Sequence, residues 1–552
     1  MDEGLRFHPN NLYASIEERQ KLIFPKDWDL SELETLASSR RRGRVSYEKE
    51  DVDRQYGATW FLDRVAEKIG LAADLRSVFG GNMEMVNDVL TMAYYPFVDN
   101  LSYNQMSMWQ REVKAPSERE LTASRITRLT QNITEKNRMD LFRCRAARMS
   151  KDELCAVDST SISTCGFNLV DIRWGKNKER LSLRQTIEVV VYSLTSHMPI
   201  FYKELPGNMP DCRTIELIMT ELEHAGFKNL ILVTDRGYES MKNLETYIAK
   251  GQKIITSVKV GGAEVLKLIR GIDTSRGYPK GMTMTLARKG KVYYAQYDAD
   301  YSVKGNGEHI VDAEKYKINI YYNPMKRAEA ICDIQHAIDE QKEAADKLIA
   351  SKEAVADCDD IRRCFNMLTI SFNEDNSVAS YEVNSEKADN MLLTAGFFAS
   401  KTIGIDIDPL QAKTGYGMRD EQEKAFALQK GPLNQDRLRT WSESSKHGRM
   451  LICFVGLILA SYVRHMWEED DYLHNKFDST EAVLAEMRTI RCIEHTGRMK
   501  FITPFIGAQV EICNAFGFDI PDGCAPVYVS KAKPTVRKRG RQPKPKTEKQ
   551  PY

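Results

Sequence analysis

The run from Leu230 to Thr234 is apolar on both faces, the pattern of a strand buried inside a parallel sheet. Such a strand needs structure packed over both of its sides, so it commits this part of the chain to an α/β arrangement. Its neighbours agree. Leu154-Cys155-Ala156-Val157 is a short apolar run ending in Asp158-Ser159-Thr160. Thr186 to Tyr192 is a β-branched run, and Pro199 to Leu205 reads as a strand closed by Pro206-Gly207-Asn208. Arg213 to Ala225 and Glu239 to Lys250 read as helices, and Lys253 to Val260 as another strand. Together they describe an α/β unit with a mixed sheet. The buried strand runs into Asp235-Arg236-Gly237-Tyr238. Asp158 and Asp235 are therefore both expected where apolar strands end, the place where α/β sheets put ligands.

A chain of 552 residues has room for two to four domains, and 42% hydrophobic with 28% charged residues describes a soluble globular protein. The net charge of +1 is unevenly spread: Ser530 to Tyr552 holds nine Lys or Arg and one Glu, a basic tail on a mildly acidic body. The eleven cysteines form no Cys-x-x-Cys pair, which points to scattered reduced thiols in a cytoplasmic protein and away from a disulfide frame or a zinc site. No signal peptide is expected. The longest apolar run, Met450 to Val463, is short for a bilayer and suits a buried helix, so no membrane is expected. No Gly-x4-Gly-Lys-Ser/Thr loop occurs, which argues against a nucleotide cofactor.

Residues 1–150 read as a helical N-terminal region, with Trp60 to Phe79 amphipathic and Asn87 to Met108 similar. Thr122 to Ile133, with Arg125 and Arg128, is a possible part of a helix-turn-helix or a basic surface helix. Arg40, Arg41, Arg42 and Arg44 around Gly43 fit a minor-groove contact or a solvated linker. Residues 151–260 are the first part of the α/β core. Residues 261–389 break its rhythm: Met282 to Leu286, Lys291 to Tyr297 and Lys317 to Tyr322 read as a small antiparallel sheet, and Lys326 to Ala356 as a long charged helix. This is expected as an insertion, with the core resuming over 390–470. Residues 471–529 read as a C-terminal α/β region, and 530–552 as a basic tail disordered on its own.

Asp408 to Pro432 reads as one helix, with Asp408 as N-cap, Pro409 at the first position, and Gly431-Pro432 as the stop. At about 100° per residue, Tyr416, Arg419, Glu423 and Lys430 fall within an arc of roughly 60°. Leu410, Met418, Ala425 and Leu428 lie opposite and should face inward. Alone, the polar face fits a solvated surface as well as a site. Combined with Asp158 and Asp235 it suggests more. Three converging carboxylates repel unless cations sit among them, and two Mg²⁺ or Mn²⁺ ions, about 3.5–4 Å apart, would neutralise them and support in-line attack on a phosphodiester. Oxygen-only ligands suit those ions and disfavour Zn²⁺. Arg419 and Lys430 would hold phosphates, and Tyr416 would donate to a phosphate or stack on a base.

Asp158, Asp235 and Tyr416-x2-Arg419-x3-Glu423-x6-Lys430 resemble the acidic triad and Tyr-Arg-Glu-Lys signature of bacterial DDE transposases of the insertion-sequence-four type. Val233 to Tyr238, and Pro206-Gly207-Asn208 with Asp211, match as well. The resemblance covers about residues 55 to 520. It implies an RNase H-like catalytic core interrupted by a β-containing insertion, Asp158, Asp235 and Glu423 as catalytic metal ligands, two Mg²⁺ or Mn²⁺ ions, and cutting and joining of double-stranded DNA element ends by a homodimer. It also implies a bacterial protein associated with the nucleoid when bound. The alternatives are a catalytically silent DNA-binding derivative and an RNase H-like nuclease without strand transfer. Related transposases can hold a flipped base with a Trp in the insertion; residues 261–389 contain no Trp, leaving Tyr293, Tyr294, Tyr297, Tyr301 or Trp174 as stacking candidates. In the tail, Arg537-Lys538-Arg539-Gly540-Arg541-Gln542-Pro543 resembles an AT-hook interrupted by Gln542, so Arg539 and Arg541 are expected in a minor groove or on phosphates.

Overall fold

The computed structural model describes residues 51–166, 168–176, 182–210, 213–274, 278–287, 290–301, 304–305, 308–309, 314–495, 501–522 and 524. The four arginines around Gly43, Asp211, and the tail residues Arg539 and Arg541 lie outside the described residues. The chain divides into two units. One is residues 1–53 with 493–501, of which 51–53, 493–495 and 501 are described, all as strand. The other is residues 54–492 with 502–552, and it contains the catalytic candidates.

Six helices open the larger unit: α1 (Gly57–Lys68), α2 (Leu71–Val78), α3 (Met83–Asp99), α4 (Met106–Glu112), α5 (Ala123–Asn132) and α6 (Glu135–Ala146). The amphipathic stretch from Trp60 is broken in two at Gly70, whose φ of 73° is left-handed and stops a helix. Trp60, Phe61, Val65, Leu71 and Leu75 are buried as their spacing predicts. Arg125 and Arg128 on α5 point outward.

Nine strands follow in one sheet: β1 (Leu154–Thr164), β2 (Arg184–Ser193), β3 (Met198–Pro206), β4 (Ile231–Thr234), β5 (Lys253–Val258), β6 (Thr283–Ala287), β7 (Gly290–Tyr301), β8 (Glu314–Tyr322) and β9 (Phe397–Ile403). Their order across the sheet is β3-β2-β1-β4-β5-β9-β8-β7-β6. The β1–β4 and β4–β5 pairs are parallel, and the others antiparallel. All four residues of β4 are buried, as a strand flanked by two parallel neighbours requires. Helices α7 (Ile215–His224) and α8 (Met241–Ala249) connect β3, β4 and β5.

Two sequence expectations are corrected here. β1 does not end at Asp158 but continues to Thr164, because residues 158–164 pair with β2 after the parallel pairing with β4 stops at Val157↔Thr234. The three strands expected as a separate small sheet instead extend the main one through β9, a strand missed in the sequence. Ser400, Lys401 and Thr402 make β9 look polar, yet all three are buried. Lys401 reaches Glu264 at 2.9 Å. Beyond β8 come α9 (Pro324–Ser351), α10 (Cys358–Cys364), a hairpin of Leu368–Phe372 with Val378–Val383, and α11 (Ser385–Thr394). These carry two small cores of their own, around Ile370 and around Ile334.

The signature stretch forms two helices, α12 (Pro409–Gly417) and α13 (Asp420–Lys430), and not one. The N-terminal reading holds: Asp408 and Gln411 form a capping box, with Pro409 in the first turn. The chain then tightens, with Arg419 N–H donating to Tyr416 O (3.1 Å) and Gln422 N–H to Arg419 O (2.9 Å). Glycines at 415 and 417 weaken the first helix, while Asp420, Glu421 and Glu423 favour a fresh N-terminus. Ala425 and Leu428 are buried, whereas Leu410 and Met418 are half-buried.

Helix α14 (Glu443–Glu469) is the central packing element. It is the one helix among the described residues long and apolar enough to cross a bilayer, and 78% of that apolar window is buried within the protein. It packs on α3, α5 and β3. At Gly448 an added Cβ would stand 1.9 Å from Thr130 O, so glycine is what lets α5 and α14 touch. Fully buried Lys446 is paired with Glu443 (3.0 Å), Glu204 (3.1 Å) and Asp171 (3.3 Å). Helices Asp471–Lys476, Thr480–Arg488 and Ala508–Phe516, with short strands at Arg491–His495 and Phe501–Ile502, complete the described chain.

Candidate active site

Asp158, Asp235 and Glu423 meet around one guanidinium. Arg419 Nη1 lies 3.3 Å from Asp158 Oδ2 and 3.9 Å from Asp235 Oδ2, while Nη2 lies 2.9 Å from Glu423 Oε1. Each acid comes from a different element. Asp158 stands within β1 opposite Val190, Asp235 follows the last residue of β4, and Glu423 lies in the first turn of α13. The break between α12 and α13 puts Arg419 one residue before the new helix, four positions from Glu423. The Arg419 side chain is 13% exposed, Asp158 17%, Asp235 36% and Glu423 57%, so the cluster grades from nearly buried to open.

Tyr416 donates its hydroxyl hydrogen to Asp235 Oδ1 (3.1 Å), and Ser257 on β5 donates to the same oxygen (3.4 Å). The Tyr416 ring lies 5.6 Å from the Arg419 guanidinium and 5.4 Å from the Phe398 ring. Burial raises the Tyr416 phenol, with the Asp235 charge adding to it and the Ser257 bond opposing, so the hydroxyl stays a donor at neutral pH. Burial works against the charge of Arg419, but Tyr416, Asp235, Asp158 and Glu423 outweigh it and raise the guanidinium above its ordinary value. A cavity of about 440 Å³ opens beside the cluster, lined by Asp235, Arg236, Lys259, Phe398, Tyr416 and Arg419. Lys430 lies two turns beyond Glu423, roughly 10 Å along the helix axis. Its charge is felt by buried Glu188.

Two site residues escaped the sequence reading. Gln422 and Gln429, seven apart on α13, are fully buried. Gln422 Nε2 donates to Val190 O (2.7 Å), the strand residue opposite Asp158, and Gln429 donates to Glu188 on the same strand. They fix the helix that carries Glu423 against the strand pair that carries Asp158. Their seven-residue spacing is the signal, but a glutamine pair at that spacing reads equally as surface.

Among the described residues, no three His, Cys, Asp or Glu side chains close on a point as a metal cage does. Here the guanidinium occupies the centre. The donor set is nonetheless oxygen-only and gathered about a positive charge, which fits a hard divalent cation.

Residues 149–337 match the family described as "Transposase DDE domain". The chain carries a transposase DDE domain. That domain holds Asp158, Asp235 and β1 to β8, while Tyr416, Arg419, Glu423 and Lys430 follow its matched span. No curated protein matches the chain. Among solved structures, the chain is similar to a piggyBac transposase synaptic complex with hairpin DNA, at 10% identity and a TM-score of 0.31, covering 77% of this chain and 70% of that one. It is also similar to a Mos1 transposase paired-end complex with left transposon end and to a pre-cleavage Mos1 transpososome. Each of these is 11% identical with a TM-score of 0.14, covering 43% of this chain and 70% of the other.

Proposed function

We propose that this protein is a DNA transposase that binds the ends of its element and catalyses phosphodiester hydrolysis and strand transfer. One observation carries the reading: three acids from separate elements, two of them inside the transposase DDE domain, converge on a single arginine. A mixed sheet whose parallel pairs end beside Asp158 and Asp235 supports an RNase H-like core. The Tyr-Arg-Glu-Lys spacing supports assignment to the insertion-sequence-four type, acting as a homodimer on paired DNA ends in the bacterial cytoplasm.

Asp158, Asp235 and Glu423 would hold the two Mg²⁺ or Mn²⁺ ions. Such a pair, when bound, supplies activation of the attacking oxygen and stabilisation of the leaving one. The chain's own residues do the rest. Ser257 and Tyr416 orient Asp235 by hydrogen bonds. Gln422 and Gln429 hold α13 in register with β2. Arg419 balances the three carboxylates and can turn its fork to a phosphate. Lys430 offers a point charge farther along the same helix face.

The test is incubation of the full chain with Mg²⁺ and DNA bearing an element end. The expected products are nicked and joined strands. Glu423→Gln removes both and leaves DNA binding largely intact. Cleavage retained by that variant would show the glutamate to be misassigned, and nicking without joining would point to a nuclease.

A further inference from the structure

A second cavity lies away from the acidic cluster. It has a volume of about 730 Å³ and lies between α5, the segment 434–442 and the start of α14. Its lining includes Arg437, Arg439 and Arg449 and, among the described residues, contains no Asp, Glu, Lys or His. Asp436 sits behind two of these arginines, 3.1 Å from Arg439 and 3.7 Å from Arg437, and Arg449 stacks on Tyr103 at 3.4 Å. Among the described residues, the three guanidiniums thus outnumber the carboxylate paired with them. Trp441 lines the cavity and is 72% exposed, and among the described residues no ring or cation stacks on it. A tryptophan face left open beside arginines matches a nucleic-acid strand: the guanidiniums take phosphates and the indole takes a base.

The cavity is tied to the acidic cluster through β1. Leu438 N–H donates to Ser163 O (2.9 Å) and Thr164 Oγ1 donates to Leu438 O (3.2 Å), so the loop carrying Arg437 to Trp441 is anchored on the strand that carries Asp158. Ile162 lines the cavity. It is four residues from Asp158 and, by strand alternation, on the same face of the sheet, roughly 13 Å away.

Resting on the transposase reading, we propose that this cavity binds an unpaired segment of the DNA substrate, with a base stacked on Trp441 and its phosphates on Arg437 and Arg439. A paired base hides its face in the duplex stack, so the indole selects for a nucleotide that is unpaired or displaced.

The test is fluorescence anisotropy on the full chain in EDTA, with a blunt DNA duplex and the same duplex bearing a short single-stranded overhang. Trp441→Ala is expected to weaken overhang binding by roughly 5- to 150-fold and leave the blunt duplex unchanged. Trp441→Phe should restore part of the loss. The double change Arg437→Ala with Arg439→Ala should lower the log affinity–log salt slope on the overhang by about 1.4, at about 0.7 per phosphate contact on a single strand. Unchanged overhang binding by Trp441→Ala, or equal loss on both DNAs, overturns the cavity assignment and leaves the transposase reading standing. Wild-type protein that binds neither DNA overturns both.

Discussion

Arg419 is the sharpest point at which to perturb this molecule. Removing its guanidinium by Arg419→Ala leaves Asp158, Asp235 and Glu423 facing one another with no cation between them. At separations of 2.9 to 3.9 Å, each attraction is on the order of 4–6 kcal/mol at an effective dielectric of about 20. Most of that does not survive as stability. Glu423 is more than half exposed, so water screens its pair to well below about 1 kcal/mol. The Asp158 pair is nearly buried, and its desolvation cost offsets much of its attraction. The net loss in the absence of divalent ions should be about 2 to 3 kcal/mol, the greater part from stranding Asp158 beside two other negative charges. The assay is thermal unfolding of wild type and variant, first in EDTA and then across a Mn²⁺ titration. The variant should melt lower in EDTA and gain more from Mn²⁺ than wild type does, because a ligand that binds only the folded state stabilises by RT ln(1 + [L]/Kd) and need not displace an arginine in the variant. Equal melting of the two proteins in EDTA together with equal Mn²⁺ shifts would refute the claim that these carboxylates share one cationic centre.

Other expectations test the frame around that centre. Burial pushes Glu188 up to about 8 from an ordinary 4.5, so between those values the folded chain holds a proton that the unfolded chain lacks, and stability falls as pH rises through the window. Glu188→Gln keeps an acceptor for Gln429 and should flatten the pH dependence of the denaturation midpoint by up to one proton, about 1.4 kcal/mol per pH unit; parallel curves for the two proteins would refute it. Gly448→Ala should destabilise by at least about 1–3 kcal/mol in a thermal melt, since its Cβ would run into the Thr130 backbone, and a neutral result would mean that α5 shifts freely. Deleting residues 530–552 should lower the log–log salt slope of duplex binding by about 0.9 for each phosphate the tail neutralises, and an unchanged slope would remove the tail from the DNA contact.

What the sequence determined by itself was local. Apolar runs placed β2, β3, β4 and β5 to within two residues and marked the start of β1, because a strand buried on both faces is commonly a continuous apolar run. Asp408 and Pro409 marked where α12 begins, since capping chemistry acts over one turn. The apolar middle of α14 announced a buried helix. The residues of the acidic cluster were legible as types at fixed spacings: two strand-associated aspartates and a Tyr, Arg, Glu and Lys on one helical stretch.

What only the tertiary structure decided was non-local. Asp158 sits in mid-strand because β2 pairs beyond it, and such pairing depends on a partner about 30 residues away. β9 was hidden because its polar residues are buried and find partners elsewhere in the fold, Lys401 with the exposed Glu264, and no local pattern encodes that. The split of the signature helix at Met418-Arg419 follows from weak propensity at two glycines and an acidic new start, and it brings the guanidinium over Glu423. Gln422 and Gln429 became positioning residues only when β2 came to lie beneath them. Spacing along a chain fixes which side chains share a face; which charge ends up between three others is settled by packing alone.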